Sequence, residues 1–216
     1  MNAPRRQTPP LADEVHLWRA PLNLRAGIFS DFEKILAPEE TLRAQRFSVP
    51  HAKSEYIAAR GFLRMILSAY LASPPQNIEL RYGEYGKPFL KNNALQFNLA
   101  HSGGLALFAI GANAPLGVDV ERERPLPEAP NLARRFFSPA EQAIFFDSIE
   151  QEKTFFELWT RKEARLKAQG RGIAHNGEEE ENLFCVSFCP QESYAAALAA
   201  QGASSRRLIF FDAESL

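Results

Sequence analysis

The chain has 216 residues, enough for one large domain or two small ones, and its 25 basic and 26 acidic side chains leave a net charge of −1. That balance gives no electrostatic footprint for nucleic acid or a membrane surface, and no apolar run reaches the length that crosses a bilayer. The first fifteen residues, MNAPRRQTPPLADEV, lack the apolar stretch of a secretory signal. The only two cysteines, Cys185 and Cys189, have no histidine near them at ligand spacing, so the reading is a cytoplasmic protein with free thiols.

In chain order, a polar, proline-containing start of about a dozen residues reads as frayed. EVHLWRAPL then reads as a short strand. SDFEKILAPEETLRAQRF opens on an N-cap at Ser30 or Asp31 and breaks near Pro38, which predicts two short helices. Residues 53–71 form the strongest helix of the first half, with Tyr56, Ala59, Phe62, Leu63, Ile66 and Leu67 on its apolar face and SPPQN ending it. IELRYGEYGKPFL and LQFNLAHSGGLALFAIG read as strands with glycine-containing loops. LALFAIG is apolar at every position, the pattern of a central strand buried on both faces.

After the turn ANAP comes the strand LGVDVE, the loop PLPEAPN, and helices in LARRFF and SPAEQAIFFDSI. In the second of these, Ser138, Pro139 and Glu141 fit N-cap, N1 and N3 of a capping box. A longer helix over residues 155–169 follows, ended by Gly170. GEEEEN reads as a solvated loop, and the tail holds three strands in LFCVSFC, YAAALAA and RRLIFFD. Strand, helices and strands thus occur twice. The order predicts an α+β protein made of two similar lobes, residues 1–114 and 115–216, a pseudo-twofold duplication without repeated sequence.

Four stretches could carry chemistry. In GVDVE, Asp119 and Glu121 are two apart on a strand and share a face, with Val118 and Val120 on the other. The pair reads either as a solvent face or as metal ligands. In FFELWTRKEARLKAQGRG, helical spacing puts Phe155, Phe156, Trp159 and Leu166 on one apolar stripe, with Glu163 inside it and Lys167 at its edge. A carboxylate in a packing face needs a partner, because desolvating it alone costs several kcal/mol. Lys167 as an i,i+4 mate is one answer. A divalent cation shared by Asp119, Glu121 and Glu163 is another, and an all-carboxylate set favours Mg²⁺ or Mn²⁺. In NLAHSGG, His101 and Ser102 stand at a strand end before two glycines, where backbone can approach a ligand. In GEYGKPF, Lys87 reads as exposed and held in a fixed direction by Gly86 and Pro88. Arg43, Arg46, Arg60, Lys87, Lys162 and Lys167 could bind a polyphosphate or be ordinary surface residues. No P-loop, dinucleotide fingerprint, zincin or nucleophile-elbow motif is present.

Taken together, GKP, FNLAHSGG, GVDVE, RRFFSPAE and WTRKEARLKAQGRG, in this order over about residues 30–190, resemble the 4′-phosphopantetheinyl transferases of the two-lobed Sfp type. The specific part is D-x-E followed about forty residues later by W-x-x-K-E-x-x-x-K. The resemblance implies a monomer with coenzyme A between two lobes. It would transfer the phosphopantetheine arm to a serine of an apo acyl or peptidyl carrier protein and release 3′,5′-ADP. Such carriers serve fatty acid biosynthesis or secondary metabolism. Asp119, Glu121 and Glu163 would hold Mg²⁺, or Mn²⁺ in its place. Glu163 or Glu141 would be the base, Lys167 would offset charge on the pyrophosphate or help the leaving group, and Lys162 would be among the residues that bind the coenzyme. His101 would contact a phosphate, and Ser102, Gly86, Lys87 and Pro88 would line the nucleotide site. Arg60 and Arg43 would take the 3′-phosphate. Two features depart from the pattern: PEETLR puts Glu40 and Arg43 where Sfp-type chains carry two lysines, and the chain is short after FCVSFC. Arg134, Arg135, Phe136 and Phe137 read as a carrier-docking surface, or, for the two phenylalanines, as core.

Overall fold

A computed structural model describes residues 5–91, 95–171, 183–202 and 205–216. The first strand, β1 (Glu14–Pro21), is followed by α1 (Ala26–Ile35), α2 (Pro38–Gln45) and α3 (Pro50–Leu71). A small hairpin of β2 (Leu80–Tyr82) and β3 (Pro88–Leu90) leads to β4 (Gln96–Ser102) and β5 (Leu105–Gly111). The second half repeats the order: β6 (Leu116–Arg122), then α4 (Ala129–Phe136), α5 (Pro139–Asp147) and α6 (Gln151–Gln169), then β7 (Leu183–Phe188), β8 (Tyr194–Gln201) and β9 (Arg207–Asp212). The architecture is α+β, as the element order predicts.

Four layers stack: helices, sheet, sheet, helix. The larger sheet runs β4-β5-β1-β9 and the smaller runs β6-β8-β7. One face of the large sheet, through Trp18, Ala20, Phe97, Phe108 and Ile110, meets Phe62, Leu63, Ile66 and Leu67 of α3. Its other face, through Val15, Leu17, Leu105, Leu107 and Ala109, meets Leu116, Val118, Val120, Leu198 and Ala200 of the small sheet. β5 is therefore buried along its whole length, which is why it reads as unbroken hydrophobicity. The far face of the small sheet is built of small residues, with Ala197 and Ala199 against Ala164 and Ala168 of α6.

Several boundaries differ from the sequence reading. α1 starts at Ala26, with Arg25 at its cap, so Ser30 and Asp31 lie inside the helix. Packing decides this: Phe29 and Phe32 both join the core, Phe32 edge-on to Phe62, and carry the preceding turn into the helix. α3 begins at Pro50, whose missing N–H costs nothing in a first turn. α4 begins at Ala129, inside the segment read as a loop. The long helix likewise starts earlier, at Gln151. The last strand also crosses the expected lobe boundary, since β9 pairs in parallel with β1 and so belongs to the first sheet. The acidic run 177–182 lies outside the described residues. Cys185 is half-buried and Cys189 is exposed.

Candidate active site

The site lies where β6, α6 and the end of β4 meet. Alternation along β6 sends Leu116, Val118 and Val120 into the inter-sheet core, and Gly117, Asp119 and Glu121 to the opposite face. α6 covers that face, so the solvent-face reading of Asp119 does not hold: the residue is buried. The close approach of α6 depends on Gly117, where a Cβ would stand 1.9 Å from the Ala164 carbonyl oxygen and 2.4 Å from the Ala168 nitrogen. α6 then ends on Gly170, whose φ of +69° makes the left-handed cap that glycine adopts without strain.

Across this contact Lys167 Nζ stands 2.6 Å from Asp119 Oδ1 and 3.4 Å from the Val118 carbonyl. The ion pair thus runs to Asp119 on β6. Burial still pushes the Asp119 carboxyl up to about 7; Lys167 opposes the shift, and Glu163 and Glu121 add to it. Glu163, one turn before Lys167, is half-buried as its place in the stripe predicts. Its pKa is raised by burial first, lowered by Lys167 and raised again by Glu121. Phe155 and Phe156 of the stripe are buried, with Trp159 stacked on Phe155.

Glu121 is held from the other half of the molecule. Ser102 Oγ, at the end of β4, donates to Glu121 Oε2 at 2.7 Å and accepts from the Arg122 N–H at 3.3 Å. His101 is exposed at the rim, yet the protein crowding its imidazole lowers its pKa. Glu55 and Glu121 raise it, and Lys167 and Arg60 lower it. Those four charges come from α3, β6 and α6, so His101 marks a point where both halves of the chain meet.

The donor set suits a divalent cation. Asp119 Oδ2 is buried without a hydrogen-bond partner, Glu163 and Glu121 raise the proton affinity of Asp119, and Glu121 raises that of Glu163. Oxygen donors with unbalanced negative charge fit a hard dication. They are not a ready-made cage, because no group of three or more acidic, histidine or cysteine residues converges tightly enough among the described residues. The nearest positive charge is the Lys167 ammonium.

The basic residues divide. Arg60 is buried, and its guanidinium lies between the rings of Tyr56 at 5.5 Å and Tyr82 at 5.6 Å. Its Nη1 has no partner, and neither does the buried Tyr56 hydroxyl beside it. Arg43 lies over the same Tyr56 ring at 5.6 Å. Glu40, which takes the place of a family lysine, is 1% exposed. Its Oε2 accepts from the Ala37 N–H at 3.0 Å and from Arg64 Nε at 2.6 Å, so it caps α2 and neutralises Arg64.

Lys87 corrects an expectation. It is half-buried, and its Nζ donates to the carbonyls of Leu116 at 2.8 Å and Lys167 at 2.7 Å. Burial, with Lys167 adding, brings its pKa down to about 8. Gly86 takes a φ of +76° in the turn before it, and Pro88 is buried where β3 starts. Glu141 closes the capping box by accepting from the Ser138 N–H at 2.8 Å, with Lys162 Nζ 4.0 Å from the same oxygen.

On the expected docking surface, Phe137 is core, while Arg134 stacks over Phe146 and Arg135 over Phe136. Sequence reasoning missed Asn98, whose buried Oδ1 accepts from the Val118 N–H at 2.8 Å and ties β4 to β6. The signal was present as an amide between the apolar Phe97 and Leu99 of a strand.

Known proteins share this framework. The family model described as the 4′-phosphopantetheinyl transferase superfamily matches residues 115–211, and that described as 4′-phosphopantetheinyl transferase, N-terminal, matches residues 26–113. The chain is 41% identical to the 4′-phosphopantetheinyl transferase HetI of Nostoc sp. over 176 residues, covering 79% of this chain and 74% of that protein. It is 33% identical to a putative 4′-phosphopantetheinyl transferase of Synechocystis sp., over 81% of this chain and 73% of that protein. Identity to Sfp of Bacillus subtilis is 28%, over 66% and 64%.

Proposed function

The chain belongs to the 4′-phosphopantetheinyl transferase superfamily, and on that footing we propose that it moves the 4′-phosphopantetheine arm of coenzyme A onto a serine of an apo carrier protein, releasing 3′,5′-ADP. The observation that carries this reading is the pairing of buried Asp119 with Lys167 at 2.6 Å while Asp119 Oδ2 has no partner. It is a charged site left incomplete on the side where a pyrophosphate and its cation would bind.

Asp119, Glu121 and Glu163 would hold Mg²⁺, which when bound polarises the pyrophosphate and offsets the charge gathering on the departing phosphate. The chain's own groups do the rest. Lys167 sets a positive charge beside the same phosphates, with Lys162 just over a turn earlier on α6. His101 and Ser102 come from the opposite wall, Ser102 already fixing Glu121 by its hydrogen bond. Gly86 and Pro88 shape the turn against which the nucleotide would lie. Arg60, with an unpartnered N–H between two tyrosine rings, and Arg43 over the Tyr56 ring are suited to a phosphate monoester. A bond forms from the carrier serine oxygen to phosphorus, the bond from phosphorus to the 3′,5′-ADP oxygen breaks, and the serine proton goes to Glu163 directly or through water. Burial raises the Glu163 pKa toward the range that suits a general base. Glu141 is the weaker candidate, because its carboxylate serves the α5 cap. No helix among the described residues is long and apolar enough to cross a membrane.

The test is transfer itself. The protein is incubated with coenzyme A, Mg²⁺ and each of several apo carriers, and the carrier is followed by mass spectrometry. Gain of one phosphopantetheine arm, lost in EDTA, is expected. Glu163→Gln should lower the rate at least about 100-fold with the melting temperature held or raised, since the substitution removes a half-buried charge. No adduct on any carrier, or full rate in the variant, overturns the reading.

A further inference from the structure

The geometry points to Lys87 as a positioning residue that straps the β2–β3 hairpin across the molecule onto the carbonyl end of α6 and so sets the placement of Glu163 and Lys167. This rests on the transferase reading for its activity readout, and its structural part stands independently. Lys87 lies in the first half of the chain, on a hairpin of two three-residue strands. A ribbon of that size is marginal alone and needs support from elsewhere. Its ammonium reaches 2.8 Å to the Leu116 carbonyl, where β6 begins, and 2.7 Å to the Lys167 carbonyl in the last turn of α6.

Both acceptors bear on the site. Leu116 precedes Gly117, the point where α6 touches β6, and Lys167 carries the side chain that pairs with Asp119. The Lys167 carbonyl also accepts the Gly170 N–H at 3.2 Å, while the Arg171 N–H donates to the Leu166 carbonyl at 2.9 Å. An ammonium there adds the positive charge that the last carbonyls of a helix attract. The same hairpin carries Tyr82, one of the two rings enclosing Arg60. One small element thus touches both the proposed phosphate-monoester site and the end of the catalytic helix.

The test uses Lys87→Met, which keeps the stem and removes the ammonium, and Lys87→Arg, which keeps a charge. Hydrogen exchange is read on the ligand-free protein over residues 164–171, and coenzyme A is varied in steady-state transfer. Lys87→Met should speed exchange at the Gly170 and Arg171 amides while the core strands stay protected. It should lower kcat about 10- to 100-fold, the scale of a misplaced reacting group, with KM for coenzyme A changed less than about threefold. Lys87→Arg should recover part of both. A raised KM with kcat retained would make Lys87 a direct ligand of the coenzyme and overturn the strap. Unchanged exchange in Lys87→Met would overturn it as well. A wild-type protein that modifies no carrier would sink the transferase reading instead, and the exchange measurement would still decide the strap.

Discussion

Replacing Gly117 with alanine should pull the two halves of the catalytic surface apart. The new methyl carbon would sit 1.9 Å from the Ala164 carbonyl oxygen and 2.4 Å from the Ala168 nitrogen, and Cβ contacts below 3.0 Å essentially do not occur. Both neighbours are helix backbone, which cannot swing aside as a side chain can. α6 must therefore retreat from β6 by about 1.1 Å, the gap between 1.9 and 3.0 Å. Overpacking of this kind costs about 1–3 kcal/mol, and the rigid partner argues for the upper end. The retreat carries Glu163 away from Asp119 and Glu121, and a displacement near 1 Å at a reacting centre can cost about 100-fold in rate. Urea denaturation and single-turnover transfer measure the two effects. Gly27→Ala is the control: nothing lies within 4 Å of the place its methyl would take and the residue is inside α1, so a gain of about 0.5–1 kcal/mol is expected. Wild-type stability and rate in Gly117→Ala would refute the close contact. Lost stability with full rate would refute the claim that this spacing sets the chemistry.

Two other perturbations follow from burial. Arg64→Met strands Glu40, 1% exposed, without its cation and frees the carbonyls of Pro75 and Ile78, so a loss of about 3–5 kcal/mol in chemical denaturation is expected; a change below about 1 kcal/mol would show the pair to be dispensable. Asp119 gives a pH signature in EDTA. Its folded pKa, raised from 3.8 to about 7, means the native state holds a proton that the unfolded chain releases. Its stabilising contribution is thus complete below about pH 4 and lost as pH rises to about 7, by on the order of 2–4 kcal/mol. Asp119→Asn should flatten that stretch of the stability curve, and a curve of wild-type shape in the variant would refute the assignment.

The long periodic elements were legible because each buries one defined face. The unbroken apolar run of β5 named a central strand, and the Ser138–Glu141 box named the start of α5. Asp119, Glu121, Glu163 and Lys167 could be grouped because strand and helix periods put each on a face that packing would bring together. What the sequence hid was long-range. Nothing local says that Arg207–Asp212 leaves the second half to pair with Glu14–Arg19. Nothing local says that Lys87, in an apparently exposed turn, points at the carbonyls of Leu116 and Lys167. The cap of α1 was misplaced because Ser30 and Asp31 are good caps, but the burial of Phe29 and Phe32 outweighs about 1 kcal/mol of capping. Glu40 looked like a flaw in a phosphate site and proved to be the partner of Arg64, twenty-four residues away.

The location of the site follows from the same packing. A carboxylate pair that repels cannot be held in a core by its own interactions, so apolar contacts on either side must hold it. On β6 the odd face carries Gly117, Asp119 and Glu121, while the even face buries Leu116, Val118 and Val120 between two sheets. On α6, Phe155 and Phe156 anchor the helix near its start, and Ala164 and Ala168 let it close on the strand near its end. Those contacts fix Asp119 and Glu163 in positions where burial raises both pKa values and only Lys167 answers them. The fold therefore maintains an unbalanced charge that its own residues do not satisfy, and His101 feels both Glu121 of that set and Arg60, whose Nη1 has no partner. Under the proposed transferase reading, the carboxylates would take a cation and the arginine a phosphate, and a metal-bound polyphosphate substrate would answer both demands at once.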